Sequence, residues 1–243
     1  MWSSVVRPLL ALAAIMSAAA GQTQALGNSA DPVRSLWSKV SRSLVRLSDG
    51  YGVLIDRRGF FLAHSALVRS DQAAGTLWDG RTVVLLLRHV DEPTQVALLE
   101  ARLWSEPGIA PVTVARSAAG KVFASTSGGW LSGELSKEER FGISKPSLRY
   151  VPLSEIRLES RDAKIGGALL FNEAGQLTGM LNATLEPVSM RGILNRPLQA
   201  QPGNSTNKQF GPAGMTVGYS LGIDVLQRVV QGYLSPARKP EHP

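Results

Sequence analysis

The stretch from Ser160 to Met180 constrains the fold of this chain more than any other. Two apolar runs, Ala168–Phe171 and Leu177–Leu181, flank the turn-prone residues Asn-Glu-Ala-Gly. Turn residues between two such runs are typical of a β-hairpin. The pair Gly166-Gly167 stands just before the first run, and adjacent glycines indicate a tight turn or the close approach of another group. The stretch therefore predicts a hairpin entered through a glycine turn.

Short strands joined by close turns are predicted in the first half of the chain. Asp49-Gly50 separates Ser43–Leu47 from Tyr51–Ile55, and a second turn leads to Phe60–Ala63. This spacing favours an all-β barrel or sandwich. Thr82–Arg88 is almost continuously apolar, which is typical of a core strand. Further on, strands are predicted at Gly108–Ala115 and Val122–Ser127, and the charged stretch Gly133–Arg149 is expected to be a polar connection.

Several segments resemble the HtrA/Deg branch of the trypsin-like serine proteases, and they occur in the same order along the chain. Ser43–Val68 resembles the opening strands of that family, and His89–Leu103 resembles its D-P-x-T-D-L-A-L-L segment. Gly-Gly-Ala-Leu at 166–169, with the following hairpin, resembles the loop that carries the catalytic serine. Gly218–Leu234 resembles the last strand and the C-terminal helix. The resemblance implies a trypsin-like double β-barrel with a C-terminal helix; a different barrel or sandwich is the alternative.

The resemblance also implies where a catalytic triad would stand. The histidine position falls on Ala66, the aspartate position on Gln95, and the serine position on Ile165 when Gly166-Gly167 is the anchor. An alignment anchored instead on Asp162–Ile165 deletes the serine and the neighbouring loop glycine, so both versions remove the nucleophile. Hydrolysis by this fold needs a hydroxyl, a base and an orienting acid. We therefore expect no catalytic residues, and we expect no cofactor-binding site and no metal site.

Three functions fit these substitutions. The first is an exported pseudoprotease that binds a protein or an extended peptide, for instance by strand addition at a sheet edge. The second is an active serine-type endopeptidase with a rearranged site, for which the available parts are His64, His89, Ser65 and Ser160. The third is a purely structural envelope protein.

Composition excludes some partners and chemistries. The chain has 26 basic and 19 acidic residues, for a formal charge of +7, which could attract anionic partners. It contains no run of five like charges and no interleaving of aromatic with basic residues, so nucleic acid is not an expected partner. It contains no cysteine, which excludes disulfides and thiolate metal sites.

The N-terminal residues predict export. Arg7 is followed by the apolar run Pro8–Ala20, and small residues end that run, a pattern typical of a signal peptide cleaved near Ala20. The run is too short for a stable membrane span, although an uncleaved helix on the membrane surface is the alternative. We therefore expect a periplasmic or secreted protein.

The predicted organisation has four parts. They are a signal peptide (1–20), an N-terminal segment with a short helix (21–42), the protease-fold domain (43–234) and a proline-rich tail (235–243). The helix is predicted over Asp31–Ser43 because its apolar residues recur at helical spacing. Asn195–Gly214 is rich in Pro, Gly, Asn and Gln and is expected to be a disordered loop rather than a functional one.

Overall fold

The computed structural model describes residues 31–101, 104, 109–116, 119–144, 147–159, 165–182, 184–188, 209–210 and 215–234. The predicted signal peptide and the proline-rich tail lie outside the described residues. Of the predicted Asn195–Gly214 loop only Gln209–Phe210 is described, and it forms a short strand.

Helices stand at both ends of the described chain, and strands fill the space between them. The first helix, α1 (Pro32–Val40), leads through a 3-10 turn (Ser41–Ser43) into the sheets, and the last, α2 (Ile223–Leu234), follows the final strand. The strands are β1 (Leu44–Arg46), β2 (Tyr51–Asp56), β3 (Phe60–His64), β4 (Gln72–Leu77), β5 (Thr82–Asp91), β6 (Val96–Ala101), β7 (Gly120–Thr126), β8 (Gly129–Ser144), β9 (Arg149–Leu158), β10 (Leu169–Phe171), β11 (Leu177–Leu181), β12 (Glu186–Val188), β13 (Gln209–Phe210) and β14 (Thr216–Gly222). A second 3-10 turn, Ser65–Leu67, follows β3.

These strands close into two antiparallel barrels. The N-terminal barrel has the order β1-β2-β3-β6-β5-β4 and closes where β4 pairs with β1. The C-terminal barrel has the order β11-β10-β7-β8-β9-β14 and closes where β11 pairs with β14. Two short strands lie off this path: β12 pairs with β8, and β13 pairs with β14. The predicted double β-barrel with a C-terminal helix is confirmed.

Three apolar clusters hold the barrels and join them. One cluster fills the N-terminal barrel around Val45, Leu54 and Phe61, and another fills the C-terminal barrel around Ile156 and Leu170. The third and largest, which we call the barrel interface, contains residues from both barrels and from both helices. Its fully or almost fully buried members include Leu36, Leu62, Val96, Phe123, Phe171, Leu221 and Leu226.

Helix α1 packs on the C-terminal barrel, although it precedes the N-terminal barrel in sequence. Its buried residues Leu36 and Val40 belong to the barrel interface. The ring of Trp37 meets that of Trp130 on β8 edge-on at 6.2 Å, and Lys39 Nζ donates to the carbonyl of Glu173 at 2.8 Å. The apolar residues that predicted the helix thus pack into the cluster that joins the two barrels.

The predicted hairpin is present. It consists of β10 and β11, which are paired in antiparallel register. Between them Asn172 caps the turn: its Oδ1 accepts from the N–H of Gln176 at 2.9 Å, and its Nδ2 donates to Gln176 Oε1 at 2.8 Å.

Three strand predictions were wrong. Residues 109–115, the described part of Gly108–Ala115, form no strand; they make an isolated bridge from Val114 to Leu177 and a backbone hydrogen bond from Val112 to Leu54. Gly133–Arg149, expected to be a polar connection, instead supplies most of β8 and the start of β9, because pairing with β7, β9 and β12 holds β8 extended despite its charged residues. Thr82–Arg88 is a strand but not a core strand, since only Leu85 is fully buried and Val84 is 46% exposed.

Candidate functional site at the barrel interface

The Gly166-Gly167 pair forms the tight turn that its sequence predicted. The N–H of Ala168 donates to the carbonyl of Ile165 at 3.0 Å, and the N–H of Gly167 donates to that of Leu181 at 2.9 Å. Gly167 has a φ of +80°, a conformation that glycine adopts at little cost. A Cβ at this position would lie 2.9 Å from Cβ of His64. The turn therefore needs glycine for its backbone angle and for its close contact with the other barrel.

Ile165 begins this turn and packs into the C-terminal barrel. Its partly buried side chain lies against the cluster that contains Ile156 and Leu181. Its Cδ1 lies 3.0 Å from where a Cβ on Gly218 would stand, so the absence of a side chain at Gly218 leaves room for it. The space behind the turn is filled by hydrocarbon.

His64 ends β3 on the other side of the barrel interface. It shares a strand face with Leu62, which belongs to the interface cluster, and it is fully buried. Its Nδ1 accepts from the N–H of Ala66 at 3.1 Å, so the neutral ring carries its proton on Nε2. Nε2 has no hydrogen-bond partner in the described part of the chain. Burial lowers the pKa of His64 to about 4, because a charged imidazolium loses its hydration there.

Ser65 and Gln95 connect the two loops on this side of the interface. The hydroxyl of Ser65 donates to Gln95 Oε1 at 2.8 Å, and the N–H of Ser65 donates to the carbonyl of Gln95 at 2.9 Å. Gln95 Nε2 donates in turn to the carbonyl of Glu92 at 2.7 Å. Both ends of the Gln95 amide are thereby satisfied by neutral groups.

The loop that carries Gln95 is a tight turn closed by Asp91. The carboxylate Oδ2 of Asp91 accepts from Thr94 twice, from its N–H at 3.1 Å and from its hydroxyl at 2.6 Å. The N–H of Gln95 donates to the carbonyl of Asp91 at 2.7 Å. Gln95 itself has a φ of +58°, which is uncommon and strained for a side chain other than Gly, Asn or Asp. Sequence analysis missed this strain, although the Asp-x-x-Thr spacing was the available sign of a capped turn.

The structure places Ala66, Gln95 and Ile165, the positions on which the resemblance puts a triad, around the contact between His64 and the glycine turn. Ala66 lies in the turn directly after His64, Gln95 bonds the neighbouring Ser65, and Ile165 begins the turn that contacts His64. Position 163, where the loop glycine of an oxyanion hole would align, lies outside the described residues, and so does Ser160.

The parts proposed for a rearranged site do not come together in the described chain. The Ser65 hydroxyl bonds Gln95 and not the imidazole of His64. His89 is exposed and stacks on Tyr233 of α2, with ring centroids 5.5 Å apart. Within the described residues, no cluster of three or more His, Asp or Glu side chains is placed to hold a metal ion. Over the same residues, no helix is long and apolar enough to cross a bilayer.

Comparison with known proteins shows the class of fold. No family model matches the chain, and no curated protein matches it. Solved structures do match with high probability, and they have the double barrel of the trypsin-like proteases. The structural likeness therefore shows a shared fold.

The matching structures include those of HtrA-type protease AlgW. Two of these, AlgW with a tripeptide and a substituted variant of AlgW with a tripeptide, have a TM-score of 0.55 and 17% identity, and the match covers 84% of this chain. AlgW with a decapeptide has a TM-score of 0.54 and 16% identity over 82% of the chain. This chain spans 64% of the length of the first two and 66% of the third.

Proposed function

We propose that this chain is an exported pseudoprotease, a double-barrel scaffold that binds a protein or an extended peptide without cutting it. One observation carries the proposal: the chain has Ala66, Gln95 and Ile165 where the resemblance aligns the base, the acid and the nucleophile of the fold. None of these side chains can take up a proton at neutral pH or attack a carbonyl. Nucleophilic catalysis on this fold requires those capacities.

The neighbouring side chains do not replace the missing groups. His64 contacts the turn at Gly167, but its Nδ1 accepts a backbone hydrogen bond and its Nε2 is buried. A general base must reach the proton that it removes, and a fully buried ring cannot reach a substrate in solvent. The hydroxyl of Ser65 donates to the amide oxygen of Gln95. A neutral amide is too weak a base to deprotonate a serine hydroxyl, so this bond does not activate Ser65 as a nucleophile.

The same residues preserve the shape of the loops. Gln95 accepts from the Ser65 hydroxyl and donates to the carbonyl of Glu92 without carrying a charge, and Ile165 fills the space behind the glycine turn. The scaffold thus stays ordered at the barrel interface without the catalytic groups, which favours a binding role over hydrolysis.

Peptide binding is the role that this scaffold supports best. The AlgW structures contain a bound tripeptide or decapeptide. Binding of an extended segment along a sheet edge uses main-chain hydrogen bonds, so it does not require a triad. The basic, apolar and small-residue order of positions 1–20 supports export.

The test is fluorophosphonate labelling of the purified mature chain together with casein cleavage, with an active HtrA-type protease as positive control. We expect neither labelling nor cleavage. Ser65→Ala is the matched variant: if the chain is labelled and this variant is not, a rearranged site contains Ser65 and the pseudoprotease proposal is wrong. Labelling that persists in Ser65→Ala would place the reactive serine elsewhere and would overturn the proposal equally.

A further inference from the structure

One edge of β9 has no partner strand at its N-terminal end. Strand β8 pairs with β9 from Arg149 to Leu158, whereas β14 pairs with it only from Leu153 to Leu158. Among the described residues, Arg149–Pro152 is therefore paired on one side alone. An edge of this kind presents free N–H and C=O groups that an extended chain can match.

This open edge borders a groove of about 260 Å³. Helix α2 and the turn between β5 and β6 supply the rest of its lining. The lining residues are Asp91, Pro93 and Thr94 from the turn, Arg149–Pro152 from β9, and Val225, Arg228 and Val229 from α2. The turn is the one that carries Gln95, so the groove adjoins the candidate site.

The groove is positively charged. Arg149 and Arg228 are both exposed, and neither forms an ion pair within the described chain; Arg228 makes only a long bond of 3.4 Å to the carbonyl of Asp224. The one carboxylate in the lining, that of Asp91, points its Oδ2 at the N–H and hydroxyl of Thr94. Two guanidinium groups are thus available to carboxylates of a ligand.

We propose that the groove binds an acidic extended segment of a partner protein, which adds as a strand to the open edge of β9. This inference rests on the proposed function and names its site and its partner class. Four residues at roughly 3.3 Å each give an edge of about 13 Å, so the segment in register is short. Only alternate residues of β9 turn their backbone groups to the open edge, and Pro152 has no N–H to donate, so one or two residues of Arg149–Val151 supply the donors.

The side chains of the edge supply selectivity. The 56% exposed ring of Tyr150 offers an apolar surface on one face of the strand. Arg149, the preceding residue of β9, points to the opposite face. An acidic residue alternating with a β-branched residue matches both features, because successive side chains of a strand point to opposite sides.

The test is fluorescence anisotropy with a labelled hexapeptide that alternates Glu and Val, titrated with the full mature chain at low and at physiological salt. Two control peptides separate the contributions: one carries Lys in place of Glu, and the other is N-methylated on alternate backbone nitrogens. We expect both controls to bind at least tenfold more weakly than the acidic peptide. We also expect Arg149→Glu/Arg228→Glu to bind the acidic peptide at least tenfold more weakly, while Arg46→Glu, at an exposed position on β1 of the other barrel, changes binding less than twofold.

The outcomes distinguish this inference from the proposed function. Equal affinity for the N-methylated peptide, no loss of affinity in the double variant, or no binding of the acidic peptide would each overturn the groove as the site. A chain that is inert to fluorophosphonate but fails these binding tests remains a pseudoprotease with a different binding surface. Cleavage of casein would overturn the proposed function whatever the peptides do. Circular dichroism and the thermal midpoint verify that each variant is folded.

Discussion

The two sides of the candidate site are built from opposite kinds of side chain. On the N-terminal barrel, Ser65 and Gln95 join their loops through hydrogen bonds between neutral polar groups. On the C-terminal barrel, Ile165 packs against hydrocarbon and against the bare backbone of Gly218. His64 and Gly167 meet between the two sides. The contrast shows that neutral hydrogen bonds hold the loops on one side and apolar packing holds the turn on the other. Neither requires the charge of a triad.

The largest expected effect is at the contact between the two sides. Gly167→Ala combines a strained backbone angle, at about 1 kcal/mol, with a clash against His64 of about 2 kcal/mol. We expect it to lower the free energy of unfolding by about 3 kcal/mol in urea titrations. The matched control is Gly80→Ala, since Gly80 has a similar φ of +88° and nothing within 4 Å of the added Cβ. If Gly167→Ala and Gly80→Ala lower the free energy of unfolding equally, the contact between Gly167 and His64 is not tight.

The second effect is a dependence on acid that comes from His64. Its pKa falls from 6.5 in the unfolded chain to about 4 in the folded one, so below pH 6.5 the unfolded chain takes up a proton that the folded chain refuses. Stability is therefore lost as the pH falls from 6.5 towards 4, by about 3 kcal/mol in all, and is unaffected by this group above that range.

The measurement is the free energy of unfolding of the wild type and of His64→Leu across that range of pH. The variant cannot titrate at position 64, so its stability is expected to fall less steeply with acid. Parallel curves for the two proteins would show that His64 is not buried as a neutral ring.

A third prediction concerns the apolar side alone. Ile165→Ala removes a half-buried side chain and is expected to cost about 1–2 kcal/mol, below the range for fully buried positions. Ile165→Val, which keeps most of the volume, is the matched control and is expected to cost under about 1 kcal/mol. Ile165→Ser restores a hydroxyl but no base, so it is expected to remain unlabelled by fluorophosphonate; labelling of this variant would show that a base is within reach after all.

The smallest effect is expected on the polar side. Ser65→Ala removes one neutral hydrogen bond, which is worth about 1 kcal/mol, and leaves the partly exposed Gln95 amide open to water. Ser48→Ala, at an exposed position, is expected to change stability by less than about 0.5 kcal/mol. If Ser65→Ala lowers the free energy of unfolding more than Ile165→Ala does, the polar side contributes more to stability than the apolar side, contrary to this prediction.

Local sequence patterns predicted the elements whose shape depends on neighbours in the chain. The hairpin around Asn172 and the amphipathic helix α1 are set by turn residues and by apolar spacing, and both were predicted. Strand β8 was not predicted, because its exposed Lys137 stands on a strand that gains its stability from pairing with β9, a contact that single-strand periodicity does not reveal. The full burial of His64 was missed for the same reason, since it depends on Gly167 from the other barrel, about a hundred residues away along the chain.

The position of α1 has a consequence for how the chain folds. The hydrogen bond from Lys39 to Glu173 closes a loop of 134 residues, and Phe171, which lies in the same apolar cluster as Leu36 and Val40, is synthesised long after the helix. A helix of nine residues is marginal in water by itself. During synthesis the contacts of α1 with the C-terminal barrel therefore form only after the β10–β11 hairpin has emerged, and the docking of the helix on that barrel is a late step.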